Sequence, residues 1–272
     1  MNTAKKQARI KKIISDIKGV KIQGARSIAK AALKAYSLKP DKKTKQKLIN
    51  ARPTEPLLVN TLNKFEKIGK EKTLKHFDIA QDKLNRLILR LIKNNSIIFT
   101  HCHSANVINA LKYAKKKGKK FEVYNTETRP LYQGRITAKE LKKAGIKVTM
   151  FVDSALGIAL SRGQNTKKPD YVFLGADAIL KTGVINKVGS EVIAIIAREQ
   201  KIPVYIIADS WKYTSHVKLE ERSFKEVWKK APKNIKIKNP AFEFVNKKYI
   251  KAVVSELGIL SLGKFVKKIR KK

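Results

Sequence analysis

From about residue 95 onward the sequence alternates short apolar runs with amphipathic segments of helical length, a pattern of successive βα units. The apolar runs are residues 97–100, 121–125, 147–152, 171–174 and 203–208, with a further short one at 241–245. A continuous run such as Ile97-Ile98-Phe99 is what a strand buried on both faces requires. Between the runs the spacing predicts helices over residues 104–117, 137–144, 190–200 and 247–257, with Gly118, Gly145 and Gly258 where helix C-caps belong. The pattern predicts an α/β fold, a Rossmann-like doubly wound and mostly parallel sheet.

Upstream the periodicity is helical: Ile10, Ile13, Ile14 and Ile17, then Ile28, Ala32 and Tyr36, then Phe77, Leu84, Ile88 and Leu91. The reading is therefore an N-terminal helical domain over residues 1–94, the α/β domain over 95–262, and a basic C-terminal tail over 263–272. Two stretches interrupt the helices. Gln23-Gly24-Ala25-Arg26 enters a helix through a glycine, where close backbone approach and free amides suit an anion. Arg52-Pro53-Thr54-Glu55-Pro56 breaks the pattern with two prolines.

Charge and cysteine usage bound the function. The chain of 272 residues carries 62 Lys and Arg against 21 Asp and Glu, a net +41, which attracts any polyanion at low salt. The basic residues are mostly lysines spread over nearly every segment, without a face of interleaved aromatics, so nucleic-acid contact is expected only through non-specific charge. No apolar run approaches the ~20 residues of a membrane span, and the first residues lack a signal-peptide core. The expectation is a cytoplasmic protein without membrane contact. Cys102 is the only cysteine, which excludes an intrachain disulfide and leaves one free thiol.

In an open parallel sheet, ligands bind beyond the carboxyl ends of the strands. The residues that follow each run are His101, Cys102, His103 and Ser104; Thr126, Glu127, Thr128 and Arg129, with Gln133 and Arg135 further on; Asp153 and Ser154; Gly175, Ala176 and Asp177; and Asp209, Ser210, Trp211 and Lys212. Ser104 is placed to cap the next helix, which puts Cys102 beside a helix N-terminus whose partial positive charge favours a thiolate. Thiol, carboxylates and cations on one rim suit proton transfer next to a carbonyl in a phosphorylated substrate. His101 and His103 flank the thiol but lack the spacing of a metal site, and neither a P-loop nor a GxGxxG turn occurs, so no metal or cofactor is predicted.

These residues fall in a familiar order. THCHS at 100–104, TETRPLYQGR at 126–135, VDSA at 152–155, GADAI at 175–179, INKVGS at 185–190 and NPAFE at 239–243 resemble the translation initiation factor 2B alpha/beta/delta family, over about residues 16–260. That family also includes ribose-1,5-bisphosphate and methylthioribose-1-phosphate isomerases. The resemblance implies an aldose-ketose isomerase acting on a ribose phosphate, with ribose 1,5-bisphosphate to ribulose 1,5-bisphosphate as the leading reaction in nucleoside salvage. It implies Cys102 and Asp177 as the catalytic pair. Substrate contacts map onto Gln23, Gly24, Ala25, Arg26, Arg52, Ser104, Ala105, Asn106, Asn186, Lys187 and Lys212, with Arg129, Gln133 and Arg135 as additional candidates. Gln23 departs from the arginine of the isomerase pattern, and Ala178 stands where an arginine follows the aspartate. The resemblance further implies a homo-oligomer, a dimer or a multiple of dimers. The alternative it carries is a non-catalytic regulatory subunit that binds a nucleotide or sugar phosphate and the initiation factor 2 alpha subunit.

Overall fold

The computed structural model describes residues 2–271. Four helices open the chain: α1 (Thr3–Lys18), α2 (Ala25–Tyr36), α3 (Lys42–Ala51) and α4 (Pro56–Leu91). Asp41 caps α3 by accepting from the Thr44 amide at 2.7 Å, and Pro56 starts α4, where its missing N–H costs nothing. Helix α4 is broken into two arms at Gly69, whose φ of 76° lies outside the helical region and suits a residue without Cβ. The first arm joins α1 to α3 around Ile17, Ile28, Leu48, Leu58 and Leu62. The second arm lays Leu84 and Ile88 on the sheet beside Val107 and Leu111. The helical region is thus a bundle only in its first part, because the long helix also covers one face of the sheet.

The sheet follows as β1 (Ser96–Thr100), α5 (Ala105–Lys116), β2 (Phe121–Thr126), α6 (Gln133–Lys143), β3 (Lys147–Phe151), α7 (Leu156–Leu160) and β4 (Tyr171–Leu174). A small antiparallel insert begins with β5 (Ala178–Ile179) and β6 (Gly183–Lys187), and α8 (Ser190–Glu199) then leads to β7 (Val204–Ile207). The chain ends with β8 (Phe242–Asn246), β9 (Ala252–Ser255), β10 (Gly258–Leu260) and α9 (Leu262–Arg270). The main sheet has the order β3-β2-β1-β4-β7-β9-β10, parallel except for β10. The chain winds outward from β1 to β3 and then returns to β4 on the other side of β1, so the order reverses between β1 and β4. That reversal opens a crevice at the carboxyl ends of these two strands. Alternate residues serve opposite faces: Ile98 and Phe173 meet α4 and α5, while Phe99 and Val172 belong to the core with α8 and α9.

Four expectations are corrected. Residues 247–257 form no helix; after a 3-10 turn at Lys247–Tyr249 they make β9, because Ala252-Val253-Val254 is an unbroken buried run beside β7. Gly258, with φ 120°, sits in the β9–β10 turn and caps no helix. Residues 241–245 contribute β8, which pairs with β6 in the small sheet β5-β6-β8 and stands apart from the main one. The basic tail expected over 263–272 is likewise more than charge, since Leu262–Arg270 form α9. Phe265 is fully buried and Val266 nearly so, and Lys264, Lys267 and Lys268 ride the solvent face of α9.

Candidate functional site

A cavity of about 330 Å³ occupies the crevice where the strand order reverses. Its floor is made by the residues that leave β1 and β4. Cys102 follows β1 in a left-handed conformation, φ 64°, which a non-glycine residue adopts only when its surroundings hold it. Two threonines do so: the Cys102 amide donates to Thr128 Oγ1 at 3.0 Å, and Thr137 Oγ1 donates to the Cys102 carbonyl at 2.7 Å. His101 is locked beneath, with Nδ1 2.6 Å from Thr126 Oγ1 and Nε2 2.9 Å from the Val188 carbonyl. The second contact requires a proton on Nε2, so Nδ1 accepts from the threonine and the ring is neutral. Burial pushes its pKa down to about 4. His103 turns the other way, 3.1 Å from Thr137 Oγ1 and 3.7 Å from Glu140. The two histidines therefore do not converge on one point.

The electrostatics of the thiol reverse the sequence expectation. Burial pushes Cys102 up to about 12, although Lys187 pulls the other way, so the thiol keeps its proton at neutral pH. Ser104 occupies the N-cap of α5, yet its side chain makes no capping bond. The first amides of α5, and those of α2 behind Gly24, are left without a side-chain cap where both helices line the cavity. Gly175, at the end of β4, comes so close to α5 that a Cβ there would lie 2.7 Å from Ser104 Oγ. Glycine is therefore required for Asp177 to follow at the right height.

Asp177 leaves β4 for the small sheet, its amide bonded to the Ile185 carbonyl at 2.8 Å. Burial raises its pKa, opposed by Lys212, Arg52 and Lys187. The hairpin β5–β6 brings Asn186 and Lys187 back over the cavity, with Asn186 donating to Ser190 Oγ at 2.8 Å. Lys212 arrives from the 3-10 turn Ser210–Lys212 after β7 and donates to the Ala176 carbonyl. Lys187 is 7% and Lys212 5% exposed, yet among the described residues neither joins an ion pair within 4.0 Å. Burying an ammonium without a direct counter-ion is costly, and although both act on the Asp177 carboxyl at longer range, the arrangement suits an anion in the cavity.

The structure thus brings together Gln23, Gly24, Ala25, Arg26, Arg52, Cys102, Ser104, Ala105, Asn106, Gln133, Asp177, Asn186, Lys187 and Lys212 around one cavity. It does not bring Arg129 or Arg135 there: Arg129 hydrogen-bonds Tyr132, and Arg135 stacks 3.6 Å over the same ring while pairing with Glu127 at 2.7 Å. Arg26 lines the cavity, but its guanidinium is held by Asp78 at 2.7 Å. Arg52 is engaged with Glu220 at 3.2 Å. Glu55, Arg222 and Glu226 also line the cavity and were not anticipated. Glu55 was visible only as part of a proline-flanked break, and Arg222 and Glu226 fall in a stretch without periodicity, where sequence carries no signal of position. A further cluster, His76, Asp209 and Glu256, lies behind Trp211. There His76 stacks on the indole at 3.6 Å and bonds Asp209 at 3.0 Å, while Asp209 and Glu256 also accept from backbone amides, which clasps α4 to the sheet.

A Rossmann-like sheet whose reversal point gathers a thiol, a carboxylate and buried unpaired cations below two open helix N-termini defines an α/β protein with a candidate site for a small anion beside groups able to transfer protons. The particular family is shown by comparison. The chain belongs to the Initiation factor 2 subunit family, IF-2B, which matches residues 20–262. It is 36% identical to the ribose 1,5-bisphosphate isomerase of Methanocaldococcus jannaschii over 92% of this chain and 91% of that protein. It is 30% identical to the methylthioribose-1-phosphate isomerase of Thermosipho melanesiensis, over 92% and 86% of the two chains. Among solved structures, the Pyrococcus horikoshii translation initiation factor eIF-2B superposes with a TM-score of 0.82 at 27% identity, covering 93% of this chain and 97% of that one.

Proposed function

We propose that the protein is a sugar-phosphate aldose-ketose isomerase that converts ribose 1,5-bisphosphate to ribulose 1,5-bisphosphate. The observation that carries this reading is the pair of buried, unpaired lysines, Lys187 and Lys212, beside Cys102 and Asp177 in one cavity. The likeness to a named ribose 1,5-bisphosphate isomerase supports the same reaction, and that to a methylthioribose-1-phosphate isomerase supports its class. Its atom balance asks for two proton carriers. The C2 proton moves to C1, the C1 bond to the ring oxygen opens, and the O2 proton ends on that oxygen, leaving a ketone at C2. Cys102 and Asp177 are the two carriers, and the thiol enters the cycle protonated. Lys187, Lys212, Arg52 and the open N-termini of α2 and α5 hold phosphate. Asn106 and Asn186 face the sugar hydroxyls. A cytoplasmic setting goes with a single unpaired cysteine, and among the described residues no helix is long and apolar enough to cross a membrane.

Association into dimers or multiples of them goes with the reading. Edge strand β3 and its neighbourhood expose Met150, Val152 and Ile136 at 45%, 55% and 42%. The direct test is incubation of purified protein with ribose 1,5-bisphosphate, with ribulose 1,5-bisphosphate followed by its ketone carbon in NMR. Turnover that disappears in Cys102→Ser and Asp177→Asn is the expected result; an inert wild type overturns the reading. One observation favours a second reading, the likeness to the Pyrococcus horikoshii initiation factor. Under it the cleft binds a ligand without turnover, and the protein co-purifies with the initiation factor 2 alpha subunit.

A further inference from the structure

Glu55 is a buried acid with a carboxyl oxygen that has no hydrogen-bond partner. It stands just before α4, 1% exposed, and lines the same cavity as Cys102 and Asp177. One carboxyl oxygen, Oε1, lies 4.0 Å from Arg52, too far for a hydrogen bond, because that guanidinium already pairs with Glu220 at 3.2 Å. The other, Oε2, is fully buried and has no partner. The charged and titratable groups that face it are Asp177 after β4, Lys212 after β7, Arg52 at the end of α3, and Glu220 from the irregular segment that crosses the cavity. Two of these are acids, and of the two cations only Arg52 reaches it, at the 4.0 Å limit of an ion pair. A carboxylate left so would lack the hydrogen bonds that a buried charge demands.

A carboxylic acid solves the problem, since it carries one proton to donate and needs only an acceptor. An oxygen-rich anion in the cavity is that acceptor. We propose that Glu55, in its protonated form, is a binding residue of this cleft whose carboxyl group donates to an oxygen of the bound sugar phosphate, and that its ionisation ejects the ligand by charge repulsion. The inference rests on the sugar-phosphate reading above and adds to it a residue that sets the pH range over which the ligand is held. Desolvation and the charge of Asp177 push the Glu55 carboxyl up to about 8, so the acid form prevails at neutral pH.

The test is calorimetric binding of ribose 5-phosphate between pH 7.5 and 9, a window in which the phosphate is already a dianion. A proton that must be present on a group titrating near 8 makes wild-type affinity fall roughly eightfold across this window. Within the same window Glu55→Gln, which keeps a neutral donor but cannot ionise, shows a flat profile. Wild type at pH 8.5 takes up roughly 0.8 proton on binding, read from buffers of different ionisation enthalpy, and this arm does not depend on any variant folding. Binding that is independent of pH, binding without proton uptake, or a Glu55→Gln profile as steep as wild type overturns the role of Glu55 alone. Absence of binding at pH 7.5 overturns the sugar-phosphate reading and this role with it. Absence of turnover with intact pH-dependent binding overturns only the isomerase activity.

Discussion

The Cys102 amide donates to Thr128 Oγ1 across 3.0 Å, joining the turn after β1 to the turn after β2. Adjacent parallel strands end side by side, so a threonine two residues past the end of β2 can reach the residue two positions past β1. The bond satisfies an amide that the left-handed turn would otherwise strand. It also fixes where the thiol points.

Thr128→Val keeps the shape of this side chain and removes the acceptor. An unsatisfied buried amide costs about 1–3 kcal/mol, and the released turn lets the thiol drift. The expected outcome is a loss of roughly 10- to 100-fold in kcat, since small displacements of reacting groups are costly. Thr128→Ser restores most of it. Steady-state kinetics with thermal melts of the three proteins check this; a Thr128→Val enzyme of full kcat would contradict it.

Lys187 offers a test in which stability and binding move in opposite directions. Its ammonium is buried without an ion pair, so Lys187→Met replaces a desolvated charge by apolar volume. A gain of about 1 kcal/mol corresponds to about 2–4 °C in Tm for a chain of this size. Affinity for ribose 5-phosphate is expected to drop at least about tenfold, because a charge-assisted bond to phosphate is lost. Melting curves and calorimetry read the two effects separately.

The sequence made the site legible wherever a short apolar run ended in polar residues. Cys102, Ser104, Asp177 and Lys212 were all found that way, since burial on both faces of β1, β4 and β7 leaves an unmistakable pattern. What it could not show was distance. Nothing in the order of residues tells that Arg26 is already held by Asp78, or that Arg135 lies on Tyr132. The thiolate expectation for Cys102 met a related limit: a helix terminus is readable in sequence, but the desolvation that opposes it is not. The helix expected over 247–257 failed because an apolar segment of that length fits either period, and the neighbouring β7 decided in favour of strand.

With its pKa pushed up to about 12, Cys102 should be a poor nucleophile in the empty enzyme despite lining an open cavity. Alkylation by iodoacetamide at pH 8 is expected to run on the order of a hundredfold slower than that of a free thiol. The rate should keep rising with pH beyond 9, where a free thiol begins to level off. Mass spectrometry of timed samples measures it. Rapid labelling at pH 7 would show an activated thiolate and contradict the protonated starting state.

Helix α9 predicts a contrast between two kinds of substitution on one short segment. Phe265 is fully buried in the core with α8 and β9, so Phe265→Ala is expected to cost about 3–5 kcal/mol. Lys264→Ala and Lys267→Ala, on the solvent face, should stay within about 0.5 kcal/mol. Urea denaturation of the three variants decides whether the segment is a structural helix or a basic appendage.

The pH dependence of stability follows from two buried groups with opposite shifts. Glu55 has a folded pKa of about 8 against 4.5 unfolded, so the stability it contributes is fully present below 4.5 and is lost as pH rises through 8. His101 has a folded pKa of about 4 against 6.5 unfolded. Its contribution is present above 6.5 and is lost as pH falls through 4. Between 4.5 and 6.5 the two effects oppose each other, whereas from 6.5 to 8 Glu55 acts without His101 and in the same sense as the raised carboxyl of Asp177. Wild-type Tm is therefore expected to fall steadily from about pH 6.5 to about pH 8 and to drop again on the acid side as His101 is forced to charge. Glu55→Gln should flatten the first slope and leave the second. Differential scanning calorimetry across this range measures both, and a wild-type Tm that rises between pH 6.5 and 8 would mean that Glu55 is ionised in the folded protein.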